Sequence, residues 1–410
     1  MRKQMYFKGL LSHSNFRKLW AGSTISLFGS QVTFLAMPFT AALILHATAM
    51  QMGLLTMAET SPTLLGGLFI GVWVDRLRHR PLLIGADIGR ALLLGSIPIA
   101  DLVGVLHIEY LILVAFLVGT LTLVFNIAYT AFLPSLVASE QLVEANSKLE
   151  ISSTLSQIAG PGIAGALIQA FTAPIAIIID ALSFLFSAGC LSVLHVQKVQ
   201  RLSEERQSFW HDLVEGLRVV INNPSLLTIA ACCATLNGFG GIKQALLVLY
   251  FTHILGWGAA FYGVLFAIAS VSGLFGALFN AWILHHLGTG STLLLSALGI
   301  GVGWLLIPVA GIHSALTAPL IILGALLFGI SNTVFNVTGD SLVQRITPQH
   351  LLGRVNACMN VIGVGTLPLG ALLGGFLGTL LGLRTALLIA GCGLSLGFVW
   401  IQLSPLRKIR

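Results

Sequence analysis

Glu59 and Asp180 each interrupt a long apolar run, and so does a single ammonium, Lys243. A charge in the middle of such a run costs several kcal/mol in a bilayer unless it faces a wet cavity, finds a partner or changes protonation. Two readings of Glu59 therefore stand side by side. Either its carboxyl gains and loses a proton while alternating with a bound compound, or it makes a fixed hydrogen bond to a neighbouring helix and never changes state. Gln31, Asn126 and Asn336 are further polar groups at similar depth, with Phe34, Phe125 and Phe335 one turn away or adjacent. Such a set supplies a few polar contacts on an adaptable apolar wall, suited to an amphipathic small molecule. Lys243 can balance a carboxyl, meet an anionic compound or snorkel outward. Asp87 and Arg90, three apart near the start of another run, can pair on one helical face while Arg90 snorkels to the interface.

The densest charges lie in Gly71-Val72-Trp73-Val74-Asp75-Arg76-Leu77-Arg78-His79-Arg80-Pro81, between two apolar runs. Asp75 ends the first run, three arginines follow within five residues, and Pro81 opens the next helix, where no N–H is needed. A shorter charged stretch, Asp340, Gln344-Arg345 and Gly353-Arg354-Val355, recurs late in the chain.

The elements that hold these residues follow from composition. Charged residues are 9% of the 410-residue chain, against about 25% in an average soluble protein. The hydrophobic fraction is 56% and mean hydropathy +0.95, which leaves too little polar surface for a water-soluble body. A bilayer core takes about 20 apolar residues per helix, and twelve such runs occur: 19–45, 51–74, 82–104, 110–134, 151–172, 174–195, 225–253, 258–284, 292–312, 317–341, 355–381 and 384–403. The expected fold is an all-α polytopic membrane protein. The net charge of +7 does not point to nucleic acid, because the cations cluster between spans. Assigned to one face, the loops and tails carry eighteen Lys and Arg, against Arg384 alone on the other. That bias places both termini in the cytoplasm. The basic segment Arg2 to Lys18 precedes a run too long for a signal peptide, so the first span is expected to stay attached. Cys190, Cys232, Cys233, Cys358 and Cys392 lack metal or redox spacing and read as small buried hydrophobes. No cofactor or metal is expected, and no G-x-x-x-x-G-K-[ST] is present to hydrolyse ATP.

The chain repeats itself. A shift of 210 residues lays Leu123-Val124-Phe125-Asn126-Ile127 on Thr333-Val334-Phe335-Asn336-Val337, Gly160 on Gly370, Gly165 on Gly375 and Gly53 on Gly263. Six spans per repeat return the chain to the same side, so the halves are parallel, with a binding region between them near the midplane. The expected domains are a bundle over 1–196, a cytoplasmic linker over 197–223 and a bundle over 224–410. Phe209, Trp210, Leu213, Val214 and Leu217 among mixed charges make the linker an amphipathic surface helix. Asp75-Arg76 falls on His285-His286, and from Gln244 to Gly339 there is no Asp, Glu, Lys or Arg. Gly370, Gly374, Gly378 and Gly382 recur every four residues and read as a close-packing face.

Gly71-x-x-x-Asp75-Arg76-x-x-x-Arg80 in this position resembles the signature loop between spans 2 and 3 of major facilitator superfamily transporters. Gln344-Arg345-x-x-Pro348 with Gly353-Arg354-Val355 is similar to that family's loop between spans 10 and 11. The resemblance covers essentially the whole chain and is closest to the branch that includes macrolide-efflux proteins and the enterobactin exporter. It implies the major facilitator fold, two pseudo-symmetric six-helix bundles. It also implies a latch formed by Gly71, Asp75, Arg76, Arg80, Asp340, Arg345 and Arg354, in which Asp75 meets the start of span 11 near Arg354. A carboxylate at a helix N-terminus is favoured by the dipole in any case. Gly160-Pro161-x-x-Ala164-Gly165 resembles the span 5 motif of proton-linked exporters, with Ala164 in place of a glycine. Asp180-Ala181-Leu182-Ser183-Phe184-Leu185 resembles a segment recurrent in drug exporters, so a structural role is preferred for Asp180. Span 4 lacks the arginine that better-known proton-linked drug exporters carry there.

The function expected is secondary-active export of amphipathic organic compounds, drugs or antibiotics, by proton antiport with alternating access. The protein would be a monomer in the cell membrane and not an enzyme. The alternative is a dedicated exporter of one metabolite, such as a siderophore or peptide antibiotic. A non-transporting scaffold or sensor would not need the hinge loop.

Overall fold

The computed structural model describes residues 10, 13–194, 209–311 and 315–408, with the side chains of 65–69, 71, 72, 75, 76, 139, 209–213 and 408 outside the description. In chain order, the first half holds α1 (Ser14–Phe39), α2 (Ala49–Arg76), α3 (His79–Leu102), α4 (Ile108–Phe132), α5 (Leu142–Ala170) and α6 (Ala173–Ser192). A further helix, α7 (Phe209–Asn222), follows. The second half holds α8 (Pro224–Leu249), α9 (Ala259–Leu287), α10 (Thr289–Val309), α11 (Thr317–Ile346), α12 (Leu352–Val364), α13 (Thr366–Leu381), α14 (Leu383–Ser395) and α15 (Gly397–Gln402). Eleven helical segments among the described residues are long and apolar enough to cross a membrane, and the 28-residue α2 is the twelfth long helix. Helices are the form such a chain must take, because hydrocarbon offers no partner for a free backbone N–H or C=O.

The spans differ from the sequence expectation at several ends, and span 12 is broken at Leu396 into α14 and α15. α5 starts nine residues earlier than expected, because its first turns carry Glu144, Lys148 and Glu150, which apolar counting discards. Glu144 pairs with Lys148 at 3.6 Å and accepts the backbone N–H of Leu10. Span 11 is broken at Gly365 into α12 and α13. Pro368 there removes the N–H that the Val364 carbonyl would receive. Gly382 is not part of the packing stripe; it ends α13 at φ 83° and opens α14. Of the cysteines, Cys232 and Cys358 are buried as expected, whereas Cys392 is exposed on the bundle surface.

The repeat is visible in the backbone. α2, α3, α5 and α6 begin at 49, 79, 142 and 173, and α9, α10, α12 and α14 at 259, 289, 352 and 383. α1 and α8 both finish in a π-helical turn, Thr40–Ile44 and Tyr250–Ile254. His46 (φ 48°) and Gly256 (φ 69°) then take the same left-handed conformation.

The halves meet at two crossings that are copies of one another. A Cβ on Gly53 of α2 would lie 2.7 Å from the Ala371 carbonyl oxygen and 2.9 Å from Gly375 Cα of α13. A Cβ on Gly263 of α9 would lie 2.3 Å from the Pro161 carbonyl oxygen and 3.1 Å from Gly165 Cα of α5. All three residues correspond under the shift of 210, so each half offers the other the same patch, as a twofold relation requires. These approaches lie toward the face remote from the chain termini, where α2 and α9 begin. Gly53→Val has only backbone to push against and separates the halves there. Maleimide labelling of Met50→Cys, beside Gly375 in the same crossing, should rise severalfold in that variant; unchanged labelling would show that the crossing is not a tight seal.

Candidate functional site

A cavity of about 470 Å³ opens between the halves, with Gln31, Thr33 and Phe34 from α1, Glu59 from α2, Gln157 and Pro161 from α5, Asp180 and Phe184 from α6, and Phe266 and Ser270 from α9 in its lining. Ser270 donates to the Gln157 carbonyl at 2.9 Å, and Phe34 meets Phe266 edge-on at 6.4 Å, so both halves contribute to the wall. Four of the residues picked out by type and depth, Gln31, Phe34, Glu59 and Asp180, therefore share one chamber.

The two carboxyls differ in their surroundings. Asp180 is 1% exposed, and its Oδ2 accepts from Thr33 Oγ1 at 2.5 Å while Oδ1 accepts from Ser183 at 3.0 Å. α1 can approach it because residue 29 is glycine: a Cβ there would lie 2.5 Å from Asp180 Oδ1 and 2.3 Å from Ser183 Oγ. Both carboxylate oxygens of Asp180 are thus held by hydroxyls. Glu59 is half-buried and has no hydrogen bond or ion pair with any described residue. Its height is set by Gly119 of α4, whose Cβ would lie 2.4 Å from the Glu59 carbonyl oxygen.

Arg90 is placed quite differently from the expectation. It does not snorkel: it is 4% exposed, pairs with the fully buried Asp87, and its guanidinium lies between Phe125 (4.4 Å to the ring centroid) and Phe184 (4.0 Å). Charge and two aromatic faces together hold it inside the bundle. The signal was available in its position, the twelfth residue of the 24-residue α3 and so at mid-depth. Phe125 accordingly serves as a platform for Arg90, stacked on Tyr129 at 5.7 Å, and not as cavity wall. Asn126 is exposed and does not line the cavity. Phe335 and Asn336 line a separate cavity in the second half. Thr33, Gln157, Phe184, Phe266 and Ser270 were not anticipated, since hydroxyls, amides and rings at these spacings look like ordinary helix packing.

The residues of the span 5 motif lie in close contacts with other helices and at the cavity wall. A Cβ on Gly160 would lie 2.5 Å from the Gln31 side chain, Pro161 lines the cavity, and Gly165 lies against Ala259 and Ala260 of α9. For the latch, the side chains of Gly71, Asp75 and Arg76 lie outside the described residues. Arg80 donates to the Leu191 carbonyl at 3.0 Å and to that of Ser192, closing the end of α6. Asp340 and Arg345 are exposed, and Arg354 pairs with Glu215 of α7.

Two parallel six-helix bundles around a chamber with polar groups at mid-depth are the architecture of a membrane transporter. The chain belongs to the Major Facilitator Superfamily, whose sequence profile matches residues 19–362 and 241–409. It is 28% identical over 408 residues to the multidrug efflux pump Tap of Mycolicibacterium fortuitum, covering 96% of this chain and 95% of that protein. It is 25% identical to the enterobactin exporter EntS of Citrobacter koseri, covering 98% and 94%. Macrolide efflux protein A of Streptococcus pyogenes matches at 26% over 52% of this chain and 53% of its own length. Among solved structures, the nucleoside transporter NupG shares the fold at a TM-score of 0.74 and 14% identity, covering 95% of this chain and 98% of its own. A bacterial homologue of the iron transporter ferroportin in an inward-facing state does so at 0.72 and 18%, covering 96% and 100%.

Arg90→Leu leaves Asp87 buried without its partner, a loss of about 3–5 kcal/mol. Thermal melting of purified protein should give a much lower Tm for Arg90→Leu and an intermediate one for Asp87→Asn with Arg90→Leu. A wild-type Tm in the single variant would remove the pair as an anchor of the bundle.

Proposed function

We propose that the chain exports amphipathic organic compounds, of the drug or antibiotic kind, in exchange for protons. The observation that carries this reading is Glu59, a carboxyl at mid-depth that faces the chamber and has no partner among the described residues. A carboxyl so placed answers to whatever enters the chamber, a proton or a compound, where Asp180 is already satisfied by hydroxyls. The likeness over nearly the whole chain to a multidrug efflux pump supports export as the direction. Likeness to an enterobactin exporter over 98% of the chain supports the second reading, a carrier for one metabolite such as a siderophore.

In this mechanism 1–196 and 224–410 rock against each other as units, joined by 197–223, with both termini in the cytoplasm of a cell whose plasma membrane the protein spans. In this reading the glycine crossings seal the remote face, and the chamber is reached from the cytoplasm. Compound enters there, the halves tilt, and a proton from outside replaces the compound at Glu59. Asp75 holds the cytoplasmic side closed by meeting the start of α12 near Arg354, in the opposite phase of the cycle. In the state described, Arg354 is taken by Glu215.

Inside-out vesicles energised by respiration should accumulate fluorescent amphiphiles and lose them on addition of a protonophore. Glu59→Gln should abolish gradient-driven accumulation yet keep compound-for-compound exchange; full accumulation in that variant rejects Glu59 as the proton site. Asp75→Asn should slow turnover severalfold with binding unchanged, and a wild-type rate removes the latch.

A further inference from the structure

The second half encloses its own cavity of about 280 Å³, and its one charged lining residue among those described is Lys243 of α8. The ammonium lies 4.2 Å from the ring centroid of Trp304 and 5.2 Å from that of Phe328, so it points into the bundle and does not snorkel. Aromatic faces steady a cation without neutralising it. Lys243 makes no hydrogen bond or ion pair with any described residue. The chain cannot supply an anion from α9, α10 or most of α11, since no Asp or Glu occurs from Gln244 to Gly339. Asp340, one turn beyond Asn336, is exposed and does not line the cavity. What shares the cavity lining with Lys243 is a set of neutral amides: Asn237, Gln244, Asn332 and Asn336.

The repeat sharpens the point. Under the shift of 210, Lys243 stands where the first half has Thr33, the hydroxyl that donates to Asp180, and the place of Asp180 is taken by Ala390. Arg90 is replaced by Ile300 and Asp87 by Ala297. The first half pairs Arg90 with Asp87 and satisfies Asp180 with hydroxyls, leaving Glu59 over, whereas in the second half the mid-depth charge is a cation with no anion beside it among the described residues. A charge in that position calls for a partner, and amides that donate N–H suit an oxyanion.

We infer that Lys243 is the site for an acidic group, a carboxylate or similar oxyanion, on the exported compound. The assignment rests on the export reading and narrows its substrate class to amphiphiles bearing an organic acid. The acid meets Lys243 and the amides of the second half, while Leu236, Leu367 and Leu394 take its apolar part.

The test uses full-length protein in nanodiscs and a matched pair of probes, dansylglycine and its carboxamide, which differ only in the acid. A hydrogen bond to a charged group is worth tenfold or more in affinity, so the wild type should bind the acid about tenfold more tightly than the amide. Lys243→Gln should reduce that ratio to about one, and Lys243→Arg should keep it. Equal affinities in the wild type, a preference that survives Lys243→Gln, or binding of neither probe overturns the assignment. Protonophore-sensitive accumulation of neutral amphiphiles in vesicles is read separately: if it persists without any preference for the acid, the anion site falls and export stands, and if it is absent, export itself falls.

Discussion

Two helix crossings between the halves of this molecule bring backbone against backbone. In lipid, helices gain nothing from hiding apolar surface, so association rests on close packing. Gly53 with Gly375 and Gly263 with Gly165 bring the backbones of α2 and α13, and of α9 and α5, to van der Waals distance. Nothing larger fits. Because the crossings are copies under one shift, any tilt that loosens one loosens the other equally, which is the mechanical condition the proposed rocking motion needs. Gly165 of the span 5 motif belongs to one of these crossings, and Gly160 lies against Gln31. Together they let α5 lie against α9 and seat Gln31 at the cavity edge.

The crossings are symmetric, but the charges are not. In the first half a guanidinium and two buried carboxyls are brought together from α3 and α6, with hydroxyls from α1 and α6 completing Asp180. Gly29 makes this possible by letting α1 approach Asp180 and Ser183, where a methyl group would block it, and Gly119 lets α4 approach α2 at Glu59. Glu59 is left over, facing the chamber. In the second half the equivalents of Asp87, Arg90 and Asp180 are Ala297, Ile300 and Ala390, and Lys243 takes the place of a threonine. The repeated architecture thus supplies the frame, and differences at a handful of interior positions supply the polarity. The transport reading lives on that second link.

Length, hydropathy and the 210-residue repeat were legible in the chain because they are sums over many residues, and sums tolerate local error. They led to twelve spans, parallel halves and the membrane, and the family motifs pointed the same way. Depth was less legible. Arg90 and Asp87 read as interfacial because the loop before them is basic, while a count from the true helix start puts Arg90 at the middle of α3. The early start of α5 and the break at Gly365 escaped for a related reason, since helix ends in lipid answer to single polar residues and prolines that hydropathy averages away.

By itself the sequence determined which residues are costly to bury, Glu59, Asp180 and Lys243 among them, because that cost belongs to the side chain and its apolar neighbours. Only the tertiary structure decided which of those costs are met. Asp180 is satisfied by Thr33 and Ser183, residues 147 positions before and three after it, while Glu59 and Lys243 are left facing cavities. Hydrogen-bond partners across helices depend on rotation and approach to within tenths of an ångström, and no pattern along one strand of chain carries that information.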